Sequence, residues 1–307
     1  MAVSHPVAVG YLRAPAAGVS GRVHRTVAML RRRGYALTPA RLAAVCLGGP
    51  LPESEVRWAV GADPDLQMAE GLVVERVASC DAATIRERAD GHAAASPAYL
   101  EMAVEFVRKL VAVAPFITSV SIAGSLASGG FRSSDDVDLN LIVEDGHRHL
   151  AYVVVNVLGV VHAMRHRAKA VDDLTRRPVA PRLMTVNLVL ERSQCRPLAR
   201  QDEDMAFELV MAEPVFGLGA LNDVVTENPA LLEHFPQLAD LAAPLLIDTP
   251  RRASPRLYPT LLDGPARILG RSAWRYMQWT RRHRPDALAR VAYVRSTMRP
   301  YTLFDEA

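Results

Sequence analysis

Two aspartates separated by one residue, downstream of a glycine–serine pair, are the residues of this chain best placed to do chemistry. The stretch from Gly124 to Val143 reads GSLASGGFRSSDDVDLNLIV. From Asp136 onward apolar residues fall on alternate positions, as in a half-buried strand, so Asp136 and Asp138 share one face with Cα atoms roughly 7 Å apart. Val137, Leu139, Leu141 and Val143 take the other face, towards a core. Carboxylates held side by side raise each other's pKa, and a hard cation between them relieves the repulsion. The pair therefore predicts a divalent metal ion at Asp136 and Asp138.

Upstream, Ile117 to Ala123 reads as a second strand, and Gly124-Ser125 interrupts it where a helix could begin. Backbone N–H groups at such a turn favour phosphate. Gly124 permits close approach, Ser125 offers a hydroxyl, and the loop that follows is small and rich in donors, with Ser128, Gly129, Gly130, Arg132, Ser133 and Ser134. Gly124, Ser125, Arg132 and Ser134 are thus the candidate phosphate-binding residues. The plainer alternative keeps Gly124 as a turn residue and the acids as a loop capping an ordinary strand.

The order Ala123, Gly124-Ser125, ten residues, then Asp136-Val137-Asp138-Leu139 resembles the signature of the DNA polymerase β-type nucleotidyltransferase superfamily. The resemblance implies a small mixed β-sheet core and transfer of a nucleoside monophosphate from a nucleoside triphosphate to a hydroxyl or phosphate acceptor, with release of pyrophosphate and with Mg²⁺ or Mn²⁺ held by Asp136 and Asp138. It also implies a third carboxylate on the next strand. Leu183 to Leu190 reads as that strand, and the matching position is Asn187, whose amide supplies one neutral oxygen and no charge. Glu191 lies on the face of Asn187 if the strand is regular, about 13 Å further along. Asp172 and Asp173 read first as solvated loop acids and only secondarily as replacements for the third carboxylate. Further on, a helix with an acidic start, an Ala-x-Glu-Leu run and Pro214 to Gly217 resemble a group of bacterial nucleotidyltransferase-domain proteins with an N-terminal winged-helix-like segment. That likeness covers roughly residues 25–300.

The elements that must position these residues are shorter-range readings. His24 to Arg33, Thr38 to Cys46 and Pro52 to Val60 read as helices, with Thr38-Pro39 as N-cap and first-turn pair, and Leu66 to Val77 as a ribbon. Three short helices and a ribbon suggest a winged helix. The would-be recognition helix carries Glu53 and Glu55 against a single Arg57, the wrong sign for DNA. Ser96-Pro97 is expected to start a helix that runs to Ala114, after a polar linker or helix at residues 83–94. A further helix is expected from Arg148 to Arg167, with His162 and His166 at zinc-compatible spacing but no third ligand nearby. The basic end of that helix, Arg165, Arg167 and Lys169, suits its dipole or a triphosphate. Between Pro265 and His283, Arg267, Arg271, Arg275 and Arg282 share a face, while Leu269, Ala273 and Tyr276 are expected on a core-facing side. Arginine with Trp274 and Trp279 could instead bind RNA.

At 307 residues and a net charge of +3, the chain has room for more than one packing unit, and its charge favours no particular anion. Cys46, Cys80 and Cys195 are far apart in sequence and form no metal motif, which points to a reducing compartment. No apolar run reaches bilayer length and the opening residues lack a secretory pattern, so a cytoplasmic protein without a membrane partner is expected. The expected fold class is α+β. The expected division is an irregular arm at residues 1–20, a winged-helix-like module at 21–90, a nucleotidyltransferase core at 91–200 and a helical region at 201–307. The partners are a nucleoside triphosphate and an unidentified acceptor, small molecule before nucleic acid or protein. Two readings compete: a lapsed domain that binds nucleotide as a sensor, and an RNA-binding protein.

Overall fold

Short amphipathic runs punctuated by glycine and proline give the chain its first elements. The computed structural model describes residues 18–77, 82–130, 135–165, 184–246, 254–280 and 285–304. Helix α1 (Val19–Arg32) starts earlier than expected and buries Val23, Val27 and Leu30. Thr38 caps α2 (Pro39–Ala44) by accepting from the Arg41 N–H. Helix α3 (Glu53–Ala62) follows, then an antiparallel ribbon of β1 (Leu66–Ala69) and β2 (Leu72–Glu75).

Helix α4 (Ala82–Val113) is continuous, and Pro97 lies inside it rather than at its start. An internal proline removes one helical hydrogen bond. Here Pro97 and Ala93, whose carbonyl loses its partner, are both exposed, so water can satisfy the freed group. The helix therefore runs through the boundary expected near residue 90. Its far half buries Phe106, Val107 and Leu110.

Beyond α4 come β3 (Ile117–Ala123), the short α5 (Gly124–Ser128), β4 (Val137–Val143), α6 (Arg148–Arg165) and β5 (Met184–Glu191). Then follow α7 (Glu203–Met211), β6 (Glu213–Phe216), α8 (Leu218–Glu227), α9 (Ala230–His234), α10 (Asp263–Thr280) and α11 (Pro285–Met298). The four strands form one sheet in the order β5-β4-β3-β6. β4 and β5 run parallel and the other neighbours antiparallel. The fold is α+β with a small mixed sheet. β6 corrects the expectation of a wholly helical region after residue 200: Val215 is buried and Pro214 is tolerated because this is an edge strand.

Alternation gives the sheet two different faces. Val137, Leu139, Leu141 and Val143 pack with Phe106 and Leu110 of α4 and Val155 of α6. The opposite face sets Ile142, Leu188 and Leu190 against Leu209 of α7 and Leu221 and Val224 of α8. That second core also contains Val27, Leu30 and Leu42, so the N-terminal unit is continuous with α7, α8 and α9. Among the described residues no helix is long and apolar enough to cross a membrane.

Helix α10 differs from its sequence reading. Leu269 is 59% and Tyr276 49% exposed, and the buried contacts run through the small residues Ala266 and Gly270. Gly270 sits against Phe304 and Tyr152, a close approach that a leucine at that position would block. Cys80, His166, Arg282 and residues 1–17 lie outside the described residues. Cys46 and Cys195 are free and buried.

Two substitutions test this packing. Gly217, at φ +73, would place a Cβ 1.9 Å from the Thr118 carbonyl oxygen, so Gly217→Ala is expected to cost about 3 kcal/mol or more in denaturant unfolding. Asp263 Oδ1 accepts from the His149 and Leu150 N–H groups, and Oδ2 lies 2.7 Å from His149 Nδ1. Burial alone would push this carboxyl up, but the bonds from His149 and Leu150 hold it below the ordinary carboxylate range. The stabilisation is therefore present above the unfolded-state pKa and is lost as pH falls through the lower folded-state value. Asp263→Asn should lose about 1 kcal/mol at pH 7, and the deficit should vanish in acid, as read by pH-dependent thermal unfolding.

Candidate functional site

Pairing across the sheet builds the site. β3 and β4 set Ala123 opposite Asp138, so the residue after Ala123 must turn directly over that carboxylate. Gly124 does so at φ +63, and a Cβ there would lie 2.2 Å from Asp138 Oδ2. No other residue fits without displacing the acid. On the other side Thr185 is paired with Asp138, and its hydroxyl donates to Asp138 Oδ1 at 2.6 Å. Ser125 and Asp136 line the same cleft, so the glycine–serine turn and both aspartates come together.

A bulge brings in Asn187. Leu139 pairs with Val186 but Asn140 pairs with Leu188, leaving Asn187 as the extra residue of β5. Its Nδ2 donates to Asn140 Oδ1 at 3.0 Å and to Glu208 Oε1 at 2.8 Å. Asn140 Nδ2 donates to the same Glu208 oxygen at 3.0 Å. Past the bulge the parity of the strand is reversed, and Glu191 pairs with Val143. Its carboxylate accepts from the Gly146 N–H at 2.8 Å, outside the cleft. The expectation that Glu191 shares the face of Asn187 fails because the strand is not regular.

Glu208 of α7 is the residue that sequence reasoning missed. It faces the cleft beside Asp138, on a helix rather than the strand that carries Asn187. The available signal was one acid between the buried Met205, Ala206, Phe207 and Leu209. An acid inside such a run is rarely there without a partner.

The cleft has a volume of about 260 Å³. Arg33 and Tyr35 from the N-terminal unit, Arg88 from α4 and Thr297 and Met298 from α11 complete its walls. Burial, with the negative Asp136, Glu208 and Asp135, pushes the Asp138 carboxyl up to about 7 against the downward pull of the Thr185 bond. Burial also raises Glu208, eased by the Asn140 bond and the Arg33 charge. The buried Tyr35 hydroxyl is pushed up to about 12. Four acids thus line one partly buried cleft, although no three of them bring ligand atoms within 4.8 Å of one another.

Arg132, Ser134, Arg167, Lys169, Asp172 and Asp173 lie outside the described residues. His162 is buried with its ring edge-on to Phe106, centroids 5.5 Å apart, which is a core position. Among the described residues, the one set of three histidine, cysteine or acidic side chains with ligand atoms within 4.8 Å of one another is His24, Asp63 and Asp65. It is held by the His24–Asp63 contact at 2.9 Å and the Asp65 N–H to Asp63, bonds that join α1 to the turn after α3. The chain matches no protein-family model, no curated protein and no solved structure.

The raised Asp138 fixes a sign. A carboxyl whose folded-state pKa lies above its unfolded value favours the fold fully in acid, and that contribution is lost as pH rises towards 7. Without divalent cation, Asp138→Asn should therefore be more stable than the parent at pH 8, by about 1–2 kcal/mol after allowing for solvent screening. Millimolar Mg²⁺ should raise the thermal midpoint of the parent and leave that of the variant unchanged.

Proposed function

We propose that the chain is a Mg²⁺-dependent nucleotidyltransferase. The observation that carries the reading is the seating of Gly124 over Asp138, which puts a phosphate-favouring turn and the aspartate pair in one cleft. Asp136 and Asp138, with Glu208 beside them, would hold the ion. When bound, it supplies charge neutralisation on the triphosphate and a lowered pKa for the acceptor oxygen.

The chain's own residues do the rest. The Gly124–Ser125 backbone and the Ser125 hydroxyl receive the β- and γ-phosphates, leaving the α-phosphorus towards the acids. Glu208, with one oxygen fixed by Asn140 and Asn187, takes the proton of the acceptor hydroxyl as its oxygen attacks the α-phosphorus. The bond from the α-phosphorus to the bridging oxygen breaks and pyrophosphate leaves. Asn187 lacks the charge of a third strand carboxylate, and Glu208 supplies it from another element.

The N-terminal helices and ribbon are read as a winged-helix-like unit turned to substrate rather than to DNA. On α3, Arg57 is paired with Glu53 at 2.6 Å, which leaves that surface without free positive charge at this position. A cleft of about 260 Å³ walled by five parts of the chain favours a small acceptor over a polymer.

Pyrophosphate release from each nucleoside triphosphate, measured with Mg²⁺ and fractionated cell extract as acceptor pool, tests the assignment. Asp138→Ala should abolish release with the circular dichroism spectrum intact. Glu208→Gln should lower it about a hundredfold or more. Turnover equal to the parent in Asp138→Ala would refute nucleotidyl transfer here, whereas triphosphate binding without turnover over any fraction would favour a sensor.

A further inference from the structure

Tyr35 reaches the cleft from the N-terminal unit, and its backbone is fixed there. Its N–H donates to the Leu30 carbonyl at 3.0 Å, and two residues on, the Leu37 carbonyl accepts from the Val73 N–H of β2 at 2.9 Å. From that anchor the ring lies against Gly130, where a Cβ would stand 2.7 Å from Tyr35 Cδ1 and 2.8 Å from Cε1. The Tyr35 hydroxyl is hydrogen-bonded to the hydroxyl of Ser128. Ser128 is buried and donates from Oγ to the Gly124 carbonyl at 2.8 Å. A serine hydroxyl has one proton, and here it is spent on Gly124, so Tyr35 is the donor to Ser128 Oγ.

The element at the end of this relay cannot hold its own shape. Helix α5 has five residues, too few for a helix to stand alone. Its N-cap is Ala123, whose side chain has no acceptor, and its first residue is Gly124, seated over Asp138. Leu126 pins α5 to the core beneath the sheet. The far end, from Ser128 to Gly130, is pinned by Tyr35. The ring supplies packing against Gly130, and the hydroxyl supplies the separate link to the Gly124 carbonyl.

We propose that Tyr35 is a positioning residue for the phosphate seat: through Ser128 it holds the Gly124–Ser125 turn over Asp138. The N-terminal unit thereby completes a site whose four acids all come from later in the chain. This rests on the nucleotidyltransferase reading of the cleft and adds to it a residue that acts through another.

Calorimetric titration of the full chain with inorganic tripolyphosphate in Mg²⁺, and amide hydrogen exchange without ligand, test the inference. Tyr35→Phe keeps the ring on Gly130 and removes the hydroxyl, and Ser128→Ala removes the link. Each should weaken tripolyphosphate about fivefold or more and speed exchange at residues 124–130 by a similar factor, with the β4 amides unchanged. The double variant should stay within about twofold of either single one, because the two hydroxyls form one link. Affinity and exchange equal to the parent in Tyr35→Phe would overturn the inference, as would losses that multiply in the double variant. A lower thermal midpoint with unchanged affinity would also overturn it, leaving Tyr35 a packing residue. A parent that binds neither tripolyphosphate nor any nucleoside triphosphate would instead remove the nucleotidyltransferase reading; exchange at residues 124–130 then decides alone whether Tyr35 holds the turn.

Discussion

Repulsion among acids in a place water reaches poorly governs how the cleft is built. Asp135, Asp136, Asp138 and Glu208 line one hollow, and burial together with mutual repulsion pushes Asp138 to about 7. Around them the fold supplies groups that steady a negative charge without cancelling it. Thr185 gives Asp138 a hydroxyl, and Asn140 and Asn187 give Glu208 two amides. Neutral donors fix the position of a carboxylate and leave its charge available to a ligand. A lysine in their place would fill the hollow.

The sheet makes this concentration affordable by dividing its labour. On β4 one face is apolar from Val137 to Val143 and anchors the strand against α4 and α6. The other is apolar at Ile142, Leu188 and Leu190 but polar at Asp138 and Asn140, so a single strand carries both the anchor and the acidic end. The bulge at Asn187 marks where the pairing gives way locally between these regimes. It turns an amide into the hollow and sends Glu191 to a structural bond with Gly146.

Much of this was written in local pattern. The alternation from Asp136 to Val143 placed two acids and four core residues correctly, because a strand buried on one face tolerates only one parity. Thr38-Pro39, the ribbon and the strands at Ile117 and Met184 followed from equally local rules. What stayed hidden depends on contacts between distant segments. Glu208 reaches the acids because α7 packs beside β4, a juxtaposition that no short window contains. The bulge at Asn187 shows only when β5 is set against its neighbour. Pro97 looked like a helix start because its tolerance depends on which side of α4 meets water, and the four-residue β6 is too short to declare a period.

Helix α4 has one more implication. Its 32 residues extend for about 48 Å, from beside the N-terminal ribbon to the strand that leads into the glycine–serine turn. Arg88 near one end borders the hollow, while Phe106 and Leu110 near the other are set into the sheet. One rod therefore carries both a wall of the hollow and part of the sheet's core. One residue inserted between Arg88 and Phe106 would rotate Arg88 by about 100° relative to the sheet and away from the hollow.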